Sequence, residues 1–400
     1  MSGSAAGDRK REFFPQLTSV RFFAALIVVL YHYNDEFGPY LPGFLKNFIN
    51  HGYIGVSFFF ILSGFILGAN YYDRLLERRV TVGDFWWARF SRIYPLYILS
   101  IISFLPRFLI PPHKDPLPKE ALYAFSHKTE VFFVSVFALQ SLAFPSSAYL
   151  NSPTWSISTE IGFYLLLPLL IPLLAKVKRS WLVPSLFVLV LLAGVGPYMY
   201  HQQILTVNLP KMGIEYTANV NEFMERFIRS NFLTRLPEFL AGVVAYRIYS
   251  EILVSSRRML PLLGWIGGLL SLPFVVSLFL EPKSNMVYTI LYTGQVIGIP
   301  FFLTVILGLI TVESRALNWL KKPSWVLLGE ASFALYLFHI PIKHFGQYVI
   351  GRVLHIPKES LPLALVLIVF SVWFSIVLFR RVETPVRKKL TAWWKSRATS

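Results

Sequence analysis

This sequence predicts an all-α fold: a polytopic transmembrane bundle of about ten spanning helices plus a short re-entrant or surface helix, with both termini cytoplasmic. Three observations predict it. Of the 400 residues, 55% are apolar, 16% aromatic and only 15% charged, against roughly 45–50% apolar and about 25% charged in an average soluble domain. Ten apolar runs approach or exceed the ~20 residues needed to cross a ~30 Å hydrocarbon core. The basic clusters fall in links that lie on one side of the membrane once those runs are threaded through it, as the positive-inside rule expects.

The first run, 17–34, follows Arg9, Lys10 and Arg11. No small-residue cleavage site comes after it, so it reads as a retained helix rather than a signal peptide. The second, 52–70, holds Gly64 and Gly68 at the small-xxx-small spacing that lets another helix backbone approach closely. The third, 92–110, is entered through Arg89 and Arg92. The fourth, 154–175, opens on Trp155 and contains Glu160 as its only acid. Runs at 181–200, 231–249, 259–280, 287–312, 325–350 and 361–379 complete the ten.

An eleventh run, 131–144, is short and flanked by Lys128, Glu130 and Pro145. If it crossed the bilayer, the Lys176, Lys178, Arg179 cluster would lie outside. If it dips in or lies along the surface, every basic cluster shares one side, with most of the 38 Lys and Arg residues. The link at 201–230 is the longest polar stretch; it reads either as a lid over an external site or as a solvated connection.

The formal charge of +17 is thereby explained by topology, and no basic face on a soluble domain remains to suggest nucleic acid. Cysteine is absent, which removes disulfides, thiolate metal sites and a thiol nucleophile. No metal is expected, and no repeat or low-complexity segment is evident.

Ionisable residues at membrane depth are costly unless they work. Arg21 and His32 both lie in the first run. Eleven residues at ~100° each return the two side chains to within roughly 20° of one another, on one helix face and about 16 Å apart along the axis. Either they do chemistry, or Arg21 snorkels to the headgroups and His32 bonds a neighbouring helix. Arg89 and Arg92, three apart, are helix neighbours able to grip a polyanion through paired hydrogen bonds, a phosphate-bearing donor being the natural cytoplasmic one. The other reading is a positive-inside anchor.

Glu160 must be paired, neutral or facing a polar cavity, and Tyr164 shares its face. In ASFALYLFHIPI, Tyr336 and His339 share a face while Glu330 lies opposite. The threading puts His32 and His339 beyond mid-span, so two imidazoles and a carboxylate are expected to gather in the outer half of the bundle.

In order along the chain come Arg21-x10-His32, GVSFFFILSGFIL, Arg89-x-x-Arg92 with Tyr94-Pro95, and Trp155-Ser156 leading to Glu160 and Tyr164. RLPEFLAG at 235–242, SFALYLFHIP at 332–341 and VETPVRKKL with Glu383 and Pro385 follow. Together these resemble the acyltransferase-3 family of integral membrane O-acyltransferases, of stand-alone polysaccharide O-acetyltransferase type, since no esterase-like domain follows the tenth span.

The resemblance implies a cytoplasmic segment 1–16, a transmembrane acyltransferase domain 17–379 and a basic cytoplasmic tail 380–400, in a bacterial inner membrane. It implies transfer of an acyl group, usually acetyl, from acetyl-CoA as donor substrate to a carbohydrate hydroxyl. The acceptor is expected in an exopolysaccharide or lipopolysaccharide, or lipid-linked. Partners are then membrane lipid, acyl-CoA and the carbohydrate.

For such chemistry His32 supplies a base that titrates near neutrality, or a transient acyl carrier. Glu160 would orient an imidazole or bind sugar hydroxyls. Arg21, Arg89 and Arg92 would bind the donor, with Trp155, Tyr164, Arg235, Tyr336 and His339 on the acceptor side or in support. A proton-coupled transporter or lipid-linked sugar flippase is the competing class, although inverted repeats and paired broken helices are not apparent. A scaffold or sensor without catalysis is the third.

Overall fold

The computed structural model describes residues 12–109, 127–142, 150–203, 229–255, 260–280, 296–357 and 360–398, and every regular element among them is helical. The principal helices are α1 (Pro15–His32), α2 (Gly55–Leu76), α3 (Val82–Leu109), α4 (Lys128–Val136), α5 (Trp155–Ala175) and α6 (Leu182–Gln203). There follow α7 (Phe232–Ile248), α8 (Leu260–Ser277), α9 (Gly298–Thr311), α10 (Pro323–Val353), α11 (Leu361–Leu378) and α12 (Thr384–Ala398).

Among the described residues, six helical stretches are long and apolar enough to cross a membrane: those carrying α1, α2, α5, α6, α10 and α11. A seventh results if α9 is joined to the turn Arg315–Lys321, from which it is bent by 95°. The other expected runs at 92–110, 231–249 and 259–280 carry α3, α7 and α8, with residues 110 and 259 outside the described residues, as are 287–295 of the run at 287–312. α3 carries Arg89, Arg92 and Arg107, and α7 is 17 residues long with Arg235, Glu238 and Arg247. α7 is enclosed by its neighbours over most of its length, so its charges meet protein rather than lipid.

The first part of the eleventh run lies in α4, nine residues long and far short of the bilayer core, and residues 143–144 lie outside the described residues. It packs against α3, where Tyr94 donates to the Val136 carbonyl at 2.8 Å and Tyr97 donates to that of Ser135. Arg9, Lys10, Arg11, Arg257, Arg258 and most of the 201–230 link lie outside the described residues.

Two close seams organise the bundle. Along α2 and α7, a Cβ on Gly64 would collide with the Phe239 carbonyl, and one on Gly242 with that of Ile61. The small residues of the second run therefore do what their spacing predicted. The second seam joins α1 to α10, which continues onto α11. α11 buries Leu363, Leu367, Ser371 and Ser375 and exposes Val366, Val369 and Trp373. An apolar helix with one apolar face left open suits contact with lipid.

The tail is more structured than its basic composition suggests. A π-turn, Phe379–Glu383, leads from α11 into α12, which lies against the start of α3. There the Trp87 ring stacks on Trp394 at 4.9 Å, and Trp87 donates its indole N–H to the Leu390 carbonyl.

Candidate active site

Five helices line a partly open cavity of about 90 Å³. α1 contributes Arg21; α3 contributes Arg89 and Arg92; α5 contributes Ser156, Glu160 and Tyr164; α10 contributes Ser332 and Tyr336; α2 closes the remaining wall with Phe59, Phe60 and Ser63. Six of the residues singled out in the sequence thus meet in one place. At about 1.5 Å of rise per residue, Arg21 lies some 9 Å into its helix and Arg92 some 15 Å into α3.

Each polar wall is held in position. Glu160 accepts from Ser63 Oγ at 2.9 Å and from the Tyr164 hydroxyl one turn away. Arg89 donates to the Tyr71 hydroxyl at 3.1 Å, and its guanidinium carbon lies 5.1 Å from the Tyr71 ring centre. Its Nε is buried without a hydrogen-bond partner among the described residues, a donor free for a ligand. Arg21 is within electrostatic reach of Arg92, Glu160 and Glu383. With three guanidiniums against Glu160 and the nearby Glu383, the chamber carries excess positive charge, which suits phosphate oxygens.

His32 does not line this chamber. Its ring sits at the other end of α1, with Nδ1 2.9 Å from the Val28 carbonyl and 3.2 Å from Nε2 of His339. The two sites are neighbours along α10. Tyr336, at the chamber wall, has its ring 6.1 Å from that of His339, and its hydroxyl bonds Ser156 at 2.7 Å. The two imidazoles meet as expected, but the carboxylate beside them is Glu36. Glu160 faces Ser63 on α2 instead, because its position on α5 turns it toward the arginines.

Glu36 pairs with Lys343 at 2.7 Å and accepts from Gln347 at 2.6 Å. Lys343 also donates to the His32 carbonyl. The sequence reading missed all three residues, yet the signal was present. Glu36 stands four after His32, Lys343 four after His339, and Gln347 four after Lys343, the spacing of one helix face.

Trp155 and Arg235 lie outside the chamber wall, behind Phe60. The Trp155 ring packs on Phe60 at 6.3 Å, and the Arg235 guanidinium lies 5.3 Å from the same ring centre. Arg235 is held by Ser57 Oγ at 2.8 Å and by buried Glu238 at 3.1 Å. Both support the wall and touch no cavity surface.

A family model described as an acyltransferase domain, Acyl_transf_3, matches residues 14–380. The curated protein O-acetyltransferase OatA of Staphylococcus aureus (strain NCTC 8325) is 23% identical over 399 residues, covering 94% of this chain and 58% of its own length. The putative O-acetyltransferase SACOL0978 of S. aureus strain COL is 22% identical over 398 residues, covering 95% and 58%. The chain therefore spans little more than half the length of these relatives. No solved structure matches the chain.

Proposed function

Because the chain belongs to the acyltransferase-3 family, we propose that it is a membrane O-acyltransferase that moves an acetyl or other short acyl group from acyl-CoA to a carbohydrate hydroxyl. The donor is cytoplasmic and the acceptor extracytoplasmic or lipid-linked, in a bacterial exopolysaccharide or lipopolysaccharide. The observation that carries this reading is the convergence of Arg21, Arg89 and Arg92 on one partly open chamber, one helical turn of α10 away from a pair of imidazoles.

In this reading the guanidiniums hold the phosphates of the donor, and the phosphopantetheine arm carries the thioester toward His32. The acceptor oxygen attacks the thioester carbonyl while His32 takes the hydroxyl proton. The C–O bond forms, the C–S bond breaks, and the thiolate leaves with a proton returned by the imidazole. Alternatively, a C–N bond to His32 forms as the C–S bond breaks and the thiolate leaves; the acceptor oxygen then takes the acyl group from nitrogen, and its proton passes through the freed imidazole to the thiolate. Glu160, held by Ser63 and Tyr164, supplies an acceptor for substrate hydroxyls and a counter-charge for the arginines. Transfer across the bilayer then needs no export of CoA.

The test is acyl transfer by the purified protein in lipid nanodiscs, using acetyl-CoA labelled in its acetyl group and cell-surface glycan as acceptor. Label esterified to glycan with stoichiometric release of free CoA is expected. Movement of a substrate without covalent change would instead establish a transporter.

A further inference from the structure

We propose that His339 is a positioning residue: it holds His32 as the Nδ1–H tautomer, so that Nε2 is the nitrogen that accepts the proton or the acyl group. The inference rests on the acyl-transfer reading for its functional consequence, and on hydrogen-bond logic for the tautomer itself.

A carbonyl oxygen only accepts. His32 Nδ1, 2.9 Å from the Val28 carbonyl, must therefore carry the hydrogen for that contact to be a bond. The same argument applies to His339, whose Nδ1 is 3.2 Å from the Leu335 carbonyl. A neutral His339 protonated on Nδ1 presents a lone pair at Nε2, which lies 3.2 Å from His32 Nδ1. The His32 N–H is then shared between the Val28 carbonyl and His339 Nε2. A second proton on His339 would set N–H against N–H, close to the Lys343 ammonium and in a side chain with no solvent exposure. One assignment satisfies every contact, and it leaves His32 Nε2 with a free lone pair.

α10 fixes the backbone behind that ring as well. The His32 carbonyl stands at the last turn of α1, where no intrahelical donor remains, and Lys343 supplies one. Glu36 balances the ammonium at 2.7 Å, with Gln347 holding Glu36 in place. When Nε2 takes a proton, the Nδ1–H bond to His339 becomes charge-assisted and strengthens. This is the part a carboxylate plays beside a catalytic histidine elsewhere, supplied here by a neutral imidazole.

The test uses the full chain, labelled with ¹⁵N-histidine, in lipid nanodiscs. Solid-state NMR, with the His32 signals identified by difference against His32→Ala, reads the tautomer without reference to activity. A protonated Nδ1 and bare Nε2 are expected; a protonated Nε2 in the resting protein would overturn the proposal.

The kinetic arm compares His339→Ala with His339→Gln, whose amide oxygen reaches the position of the lost Nε2. His339→Ala is expected to lower kcat about tenfold or more while the donor KM stays within about twofold, and His339→Gln to recover most of the loss. Equal loss in both variants, or a folded His339→Ala protein with unchanged kcat, would count against it. Should His339→Ala fail to fold, the wild-type spectrum still decides. Should the wild type show the expected tautomer and yet transfer no acyl group, the proposed function fails and the proton assignment stands.

Discussion

The Tyr164 hydroxyl donates to the Glu160 carboxylate one turn before it, and the Arg89 guanidinium carbon lies 6.0 Å from the centre of the same tyrosine ring. Phenol, carboxylate and guanidinium therefore form one wall of the chamber, with Ser63 as the second donor to Glu160. Removing the charge while keeping the shape isolates its contribution. Hydrogen bonds to charged groups contribute about 1.5–3 kcal/mol, so Glu160→Gln should lower acyl transfer by about ten- to a hundredfold in correctly inserted protein. Tyr164→Phe should fall less, since Ser63 remains. Steady-state transfer rates in nanodiscs check this, and a Glu160→Gln variant at wild-type rate would remove the carboxylate from the account.

Arg89 and Arg92 line the chamber from one face of α3. If they hold donor phosphates, replacing both with alanine should raise the apparent donor KM by about a hundredfold or more, taking about 1.5–3 kcal/mol for each charge-assisted contact. The acceptor KM should change little. Initial rates with donor and acceptor varied separately make the comparison; an unchanged donor KM would exclude the phosphate role.

The α2–α7 seam leaves no room for a side chain at Gly64, where a Cβ would meet the Phe239 carbonyl. Backbone cannot yield as a flexible side chain can, and overpacking typically costs about 1–3 kcal/mol. Gly64→Ala should lower the midpoint of thermal aggregation in detergent by several degrees. Gly268 on α8, whose Cβ position is open, serves as the control: Gly268→Ala should leave the midpoint unchanged. Equal behaviour of the two variants would contradict the close seam.

Outside the third apolar run, Asp84 ties α12 to α3. The Thr81 hydroxyl and the Trp394 indole N–H both donate to it, at 2.7 and 2.8 Å, and hold its carboxyl below the usual carboxylate range. A lowered folded-state value means that the stabilisation is present above the ordinary pKa and is lost as pH falls through the folded one. Docking of α12 should therefore be insensitive to pH well above 3.8 and weaken progressively as acidification takes the pH through and below that value. Tryptophan fluorescence against pH, compared with Asp84→Asn, follows it; a transition near neutrality would assign the docking to another group.

Patterns local to one helix were legible in the sequence, and relations between helices were legible only in part. The spacing of Gly64 and Gly68 predicted a close helix partner, although not that α7 would supply it with Gly242. Arg21, Arg89, Arg92, Glu160, Tyr164 and Tyr336 were each conspicuous as polar groups in apolar runs, and they share a chamber. Span by span, hydropathy was a weaker guide: α7 buries its charges against protein and α3 turns Arg89 and Arg92 to the chamber, relations that composition alone does not show. The Glu36–Lys343–Gln347 cluster was missed because each residue looks like an ordinary interfacial charge or amide until α1 and α10 are set side by side.

The most direct test of the central claim is single-turnover acetyl transfer from acetyl-CoA by the wild-type protein and by His32→Ala, both shown to be folded in nanodiscs and to bind the donor equally. A general base contributes about 10²- to 10⁴-fold, so the variant is expected to lose at least about a hundredfold in rate with donor affinity intact. Transfer by a folded His32→Ala protein at the wild-type rate would contradict the account.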